Sequence, residues 1–158
     1  MVFLDASALA KAYLDEEGST NIQGVLARED GTLFISEFVA LEVLTTLRTA
    51  YREAPRPEYQ RVVDRFRVDY PARFSVVEVD AAIRASAMDL TTWRRTAKAR
   101  SMDVLHLATA LWLQSARRAG EVTMVTSDHD LAALSKECGL RTFDPGREPL
   151  AALPARRW

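Results

Sequence analysis

Short apolar runs, each followed by a segment with helical spacing, constrain this chain more than any other feature. The runs are "VFLD" at residues 2–5, "TLFIS" at 32–36, "FSVVEV" at 74–79, "VTMVTS" at 122–127 and "LRTF" at 140–143. Strands that alternate with helices pair in parallel, because a parallel return needs a crossover long enough to hold a helix. The predicted fold is therefore α/β, with a central, mainly parallel sheet of about five short strands. In such sheets sites form beyond the carboxyl ends of the strands, near a switch in strand order. Asp5 closes the first strand and Asp128 follows the fourth. Both acids therefore belong to that edge.

The intervening segments read as helices. "ASALAKAYLDEE" and "STNIQGVLARE" break apart at Gly18 and Ser19, and "EFVALEVLTTLRTAYREA" is stopped by Pro55 and Pro57. "PEYQRVVDRFRVDY" begins with a proline suited to a first turn. Asp80 is placed to cap "AAIRASAMDLTTWRRTAKA", and Ser101 to cap "MDVLHLATALWLQSARRAG". "DHDLAALSKECG" ends at Gly139. One domain is expected over residues 1–145, with a loosely ordered tail at 146–158.

Composition removes several classes of function. Apolar residues make up 48% and charged residues 27% of 158, as in ordinary globular proteins. No apolar run is long enough to span a bilayer, and nothing at the N-terminus reads as a signal peptide. The lone Cys138 cannot form an internal disulfide, which fits a reducing cytoplasm. The net charge of -1 gives a nucleic-acid role no general support, so any basic surface must be local.

Two further acids sit in unusual company. Glu42 interrupts "FVALEVL", and the helical wheel puts it with Thr45, Thr49 and Glu53, opposite Val39, Val43 and Leu47. The wheel alone makes it a solvated residue. Asp103 lies in the first turn of a helix that is apolar nearly all round. The helix dipole favours an acid there by about 0.3–1 kcal/mol, so its position has a bland explanation too. If Asp5, Glu42, Asp103 and Asp128 converge, they cannot all stay ionised without a cation. Oxygen-only ligands suit Mg²⁺ or Mn²⁺. Zinc is disfavoured, because His106, His129 and Cys138 show no ligand spacing.

Four segments carry a resemblance: "VFLDASALAKAYLDEE", "ISEFVALEVLTTL", "ARSMDVLHLATAL" and "VTMVTSDHDLAALSKECGLRTFDP". In this order, each with its acid, they resemble the PIN domain, and within it the VapC-type toxin ribonucleases of bacterial toxin–antitoxin pairs. The resemblance implies a three-layer α/β/α domain and a Mg²⁺- or Mn²⁺-dependent endoribonuclease. It carries Asp5, Glu42, Asp103 and Asp128 over as the acidic, metal-binding catalytic site. Asp130 matches a frequent extra acid, and equally suits a helix start. Ser7 matches the hydroxyl residue after the first Asp, and Thr126 or Ser127 the hydroxyl before the last acid; these would orient carboxylates or a water. A homodimer and a small VapB-like antitoxin that blocks the acidic site are also implied. Asp15, Glu16 and Glu17 read as a solvated helix end.

Phosphodiester hydrolysis needs an activated water and charge neutralisation, which carboxylate-held metal can supply without a histidine base. His106 reads as a packed or hydrogen-bonded residue, and His129 as a solvent-facing one. In "WRRTAKARSMD", Lys98 and Arg100 are best placed to meet an RNA backbone, with Arg95 a further candidate and a solvated helix face the alternative. Arg117 and Arg118 are the next place to look. Trp93 suits a core or dimer anchor better than a base stack. A haloacid-dehalogenase-type phosphatase would need a second Asp where Ser7 stands, and a receiver domain would need an acidic pair and a late lysine that are missing. The serious alternative is a PIN-type module that binds RNA or a partner with little or no nuclease activity.

Overall fold

In a computed structural model that describes residues 1–28, 33–116 and 121–154, five parallel strands form one sheet. They are β1 (Val2–Leu4), β2 (Leu33–Ser36), β3 (Ser75–Val77), β4 (Thr123–Val125) and β5 (Arg141–Phe143), in the order β3-β2-β1-β4-β5. Every neighbouring pair is parallel, and β1 sits at the centre with Phe3 opposite Phe34 and Met124. Expected element residues 29, 32 and 117–120, with Arg117 and Arg118, and the tail at 155–158, lie outside the described residues.

Strand residues alternate between two buried layers, because successive side chains point to opposite faces of a sheet covered on both sides. Val2, Leu4, Leu33, Ile35 and Val125 pack with α1 (Ala6–Leu9), α2 (Ser19–Arg28), α3 (Val39–Ala50) and α4 (Arg56–Arg73). Phe3, Phe34, Val77 and Met124 pack with α5 (Ala81–Thr91), α6 (Ser101–Ala116) and α7 (His129–Glu137). The expected three-layer α/β/α domain is thus present. Among the described residues no helix is long and apolar enough to cross a membrane.

Four expectations need correction. The helix predicted through Ala99 stops at Thr91, followed by a 3-10 turn at Arg94–Thr96. The buried Thr96 hydroxyl donates to the carbonyls of Leu90 and Trp93, at 3.0 and 2.7 Å, and takes up the end of the helix. The first predicted helix is likewise short: α1 passes into a 3-10 turn that ends at Tyr13. Ser101 is not a cap but the first residue of α6; Asp103 instead accepts the Arg100 N–H, the acidic half of a capping box. Residues 144–154, the described part of the segment expected to be loose, are packed. Asn21 donates to the Pro145 and Glu148 carbonyls at 2.8 and 3.0 Å, and Leu153 is buried against the α2 layer.

Gly139 ends α7 with φ +85°, where the Leu140 N–H returns to the Ser135 carbonyl, a glycine-terminated helix end. Gly18 has φ +91°, and a Cβ there would lie 2.9 Å from the backbone of Pro145 and Gly146. That turn therefore needs glycine both for its conformation and for close approach.

Candidate functional site

Sheet topology creates one crevice. The crossover from β1 leaves over the α1/α2 layer toward β2, whereas that from β4 leaves over the α7 layer toward β5. The two connections diverge, so a gap opens between the carboxyl ends of β1 and β4. Asp5 lies on one side of it and Asp128 on the other.

Both acids are held by the helices they start. Asp5 caps α1, and its Oδ2 accepts the Ser7 N–H at 3.1 Å, the Ser7 hydroxyl at 2.6 Å and the Thr126 hydroxyl at 3.0 Å. Asp128 caps α7, and its Oδ1 accepts the N–H groups of Asp130 and Leu131 at 2.9 and 3.0 Å. Thr126, fully buried, ties the two together: its Oγ1 also accepts the Asp128 N–H at 3.0 Å. Ser7 lies 3.1 Å from that oxygen and accepts the Ser127 N–H at 3.0 Å. Of the two candidate hydroxyls before the last acid, Thr126 touches the Asp5 carboxylate. Ser127 turns its hydroxyl to Asp144, 3.2 Å away.

Asp103 and Glu42 relate to this pair less directly. Burial raises the Asp103 carboxyl above its ordinary range, and the charges of Asp128 and Asp5 push the same way; the Arg100 N–H and guanidinium oppose them. Asp103 is therefore within electrostatic reach of both strand-end acids. Glu42 is half-buried, not on the solvated face the helical wheel assigns. Its Oε2 meets Nε2 of His106, which is 1% exposed and comes from the opposite helical layer. The same Nε2 lies 3.9 Å from Asp5 Oδ1. The wheel places α3 against the sheet correctly but is blind to α6 reaching over the sheet end.

The four carboxylates share a division of labour. Asp5, Asp103, Asp128 and Glu42 each commit one oxygen to a fixed donor. Among the described residues, the other oxygen of each accepts no hydrogen bond. An all-oxygen set of this kind fits a hard cation such as Mg²⁺ or Mn²⁺. The side chains do not close into a cage as they stand: among the described residues no three His, Cys, Asp or Glu groups are spaced to hold an ion.

The remaining candidates divide. Asp130 is exposed in the first turn of α7, with its N–H on Asp128. Arg100 and Lys98 are exposed in the segment leading to Asp103, and Arg100 acts on its charge. Arg95 is exposed as well. It stacks over the Trp93 ring at 4.1 Å, and its charge reaches Cys138 at the end of α7 remote from Asp128, about 13 Å along a nine-residue helix. Trp93, 39% exposed beneath it, is not a core anchor. Sequence reasoning missed Ser36, which bonds His106, and Asp144. Asp144 directly follows β5, the same strand-then-acid pattern as Asp5, and that signal would have found it.

A PIN domain family profile matches residues 2–137, most of the chain. The chain belongs to the PIN-domain family. Its PIN fold is similar to FitAcB from Neisseria gonorrhoeae, with a TM-score of 0.69 at 14% identity, covering 94% of this chain and 100% of that one. FitAB bound to an IR36 DNA fragment gives 0.64 at 14% identity, over 94% and 98%. PAE2754 from Pyrobaculum aerophilum gives 0.58 at 18% identity, over 91% and 88%. At such identities the likeness is one of PIN fold. No curated protein matches the sequence.

Proposed function

We propose that this PIN domain is a metal-dependent endoribonuclease and the toxin of a toxin–antitoxin pair. The observation that supports the nuclease reading is the linkage of Asp5 to Asp128 through Thr126 and of Glu42 to His106 beside Asp5, with Asp103 in electrostatic reach of Asp5 and Asp128 and one oxygen of each acid uncommitted. These four would hold Mg²⁺ or Mn²⁺, with Asp130 in reserve at the rim. When bound, the cation supplies charge neutralisation at the phosphate and an acidified water. The chain's own groups do the rest. Ser7 and Thr126 hold Asp5 in one orientation, and the first turn of α7 holds Asp128. Arg100 and Lys98 offer exposed cations for the RNA backbone at the mouth. Neither histidine supplies a base: His106 is buried too deeply to reach substrate, and exposed His129 lies 3.7 Å from Asp144, outside the group.

The toxin role, a VapB-like antitoxin partner, a homodimer and a cytoplasmic setting rest on the resemblance to VapC-type proteins. The test is cleavage of mixed RNA by purified protein with Mg²⁺ or Mn²⁺. Cleavage is expected, and it should stop in chelator and in Asp5→Asn. RNA that is bound but left intact with either metal would favour the binding-module reading. Neutralisation of growth arrest by a neighbouring small protein tests the pairing separately.

A further inference from the structure

The geometry points to His106 as a positioning residue that acts through Glu42, setting where that carboxylate stands in the acidic site. This rests on the metal-site reading above and assigns a job to a side chain that touches neither solvent nor substrate.

His106 is 1% exposed, between Phe3 of the central strand and the end of β2. Its Nδ1 lies 2.9 Å from the hydroxyl of Ser36, itself fully buried. Its Nε2 meets Glu42 Oε2. An ionised carboxylate can only accept, so Nε2 carries the hydrogen that faces Glu42. With a neutral ring, Nδ1 is the acceptor and the Ser36 hydroxyl donates to it. Both ring nitrogens and the Ser36 hydroxyl are then satisfied, as buried groups require.

Packing alone does not explain an imidazole here. An apolar side chain would fill the space beside Phe3 without burying two polar nitrogens. The ring instead places a donor between two acids, with Asp5 Oδ1 at 3.9 Å from the nitrogen that holds Glu42. Glu42 stands on a helix of the opposite layer and has a long, rotatable side chain. Without this contact nothing among the described residues fixes its carboxylate over the sheet end. Ligand carboxylates held in this way typically lose about 10–100-fold in metal affinity when the holding group is removed.

The test uses Mn²⁺ affinity of the folded protein, read by electron paramagnetic resonance, alongside kcat and KM for RNA. Gln places an amide donor near the position of Nε2, whereas Leu keeps bulk and offers none. His106→Gln should hold Mn²⁺ affinity within about threefold, and His106→Leu should lose about 10–100-fold. In Leu, kcat should fall with KM for RNA nearly unchanged. In a Glu42→Ala background, which removes the acceptor altogether, His106→Leu should add no further loss, because the two changes remove one interaction. Ser36→Ala, which leaves the ring in place, should weaken Mn²⁺ in the same direction and stands in if the Leu variant does not fold. The inference is overturned if Leu binds Mn²⁺ like wild type, if Gln and Leu fall equally, or if Leu's loss persists unchanged beside Glu42→Ala. Unchanged affinity in Ser36→Ala also counts against it. Wild-type protein that binds no Mn²⁺ would instead remove the metal reading, and this inference with it.

Discussion

Thr126→Val is the sharpest perturbation of the site's scaffold, because it changes one buried hydroxyl and almost no volume. That hydroxyl donates to Asp5 Oδ2 at 3.0 Å and accepts the Asp128 N–H at 3.0 Å. Losing a bond to a charged acceptor costs about 1.5–3 kcal/mol, and leaving the N–H without its acceptor about 1–3 kcal/mol. The losses share one atom and do not add fully, and the new methyl offsets about 0.8 kcal/mol. The expected net destabilisation is about 2–4 kcal/mol. The assay is urea unfolding in chelator. With a slope of about 2 kcal/mol per molar, the midpoint should fall by about 1–2 M at unchanged slope. Thr126→Ser keeps the hydroxyl and should lose no more than about 1 kcal/mol, the value of one buried methyl. A midpoint shift in Thr126→Val no larger than in Thr126→Ser would refute the claim that this hydroxyl ties the two acids together.

Three further outcomes are expected. The Asp103 carboxyl is raised in the folded chain by burial and by Asp128 and Asp5, so the folded state binds this proton more tightly than the unfolded state. Stability in chelator should therefore rise as pH falls from neutral through the raised value, toward the unfolded value of about 3.9. Asp103→Asn should melt at or above wild type at neutral pH and lose part of that acid-side gain; a clearly lower melting temperature would mark a structural carboxylate. Replacing both Lys98 and Arg100 by Ala should weaken RNA binding in Ca²⁺ for all sequences and reduce the salt slope by about one unit for each phosphate no longer neutralised, so an unchanged slope would clear both of that role. Asn21→Ala removes two bonds to the segment after β5 and should cost about 1–3 kcal/mol, with faster amide exchange confined first to residues 144–154.

What the sequence alone determined is local in origin. The strand-and-helix alternation is written in runs of three to six residues, and all five strands fall inside the apolar runs that announce them. Asp5, Asp80 and Asp128 start helices because a short carboxylate next to a helix start meets backbone N–H groups a few residues on, whatever surrounds it. Strand-end acids in a parallel sheet are therefore legible as neighbours from the sequence alone. Tertiary structure decided the rest. The end of α5 depends on Thr96 folding back onto carbonyls five or six residues earlier, and the packing of residues 145–148 on Asn21, more than a hundred residues away. A helical wheel orders residues around their own axis only. It put Glu42 with the solvated residues because the wheel contains no second helix. Whether that carboxylate meets water or an imidazole is settled by two layers from opposite faces of the sheet meeting over its carboxyl end, where His106 of α6 meets Glu42 of α3.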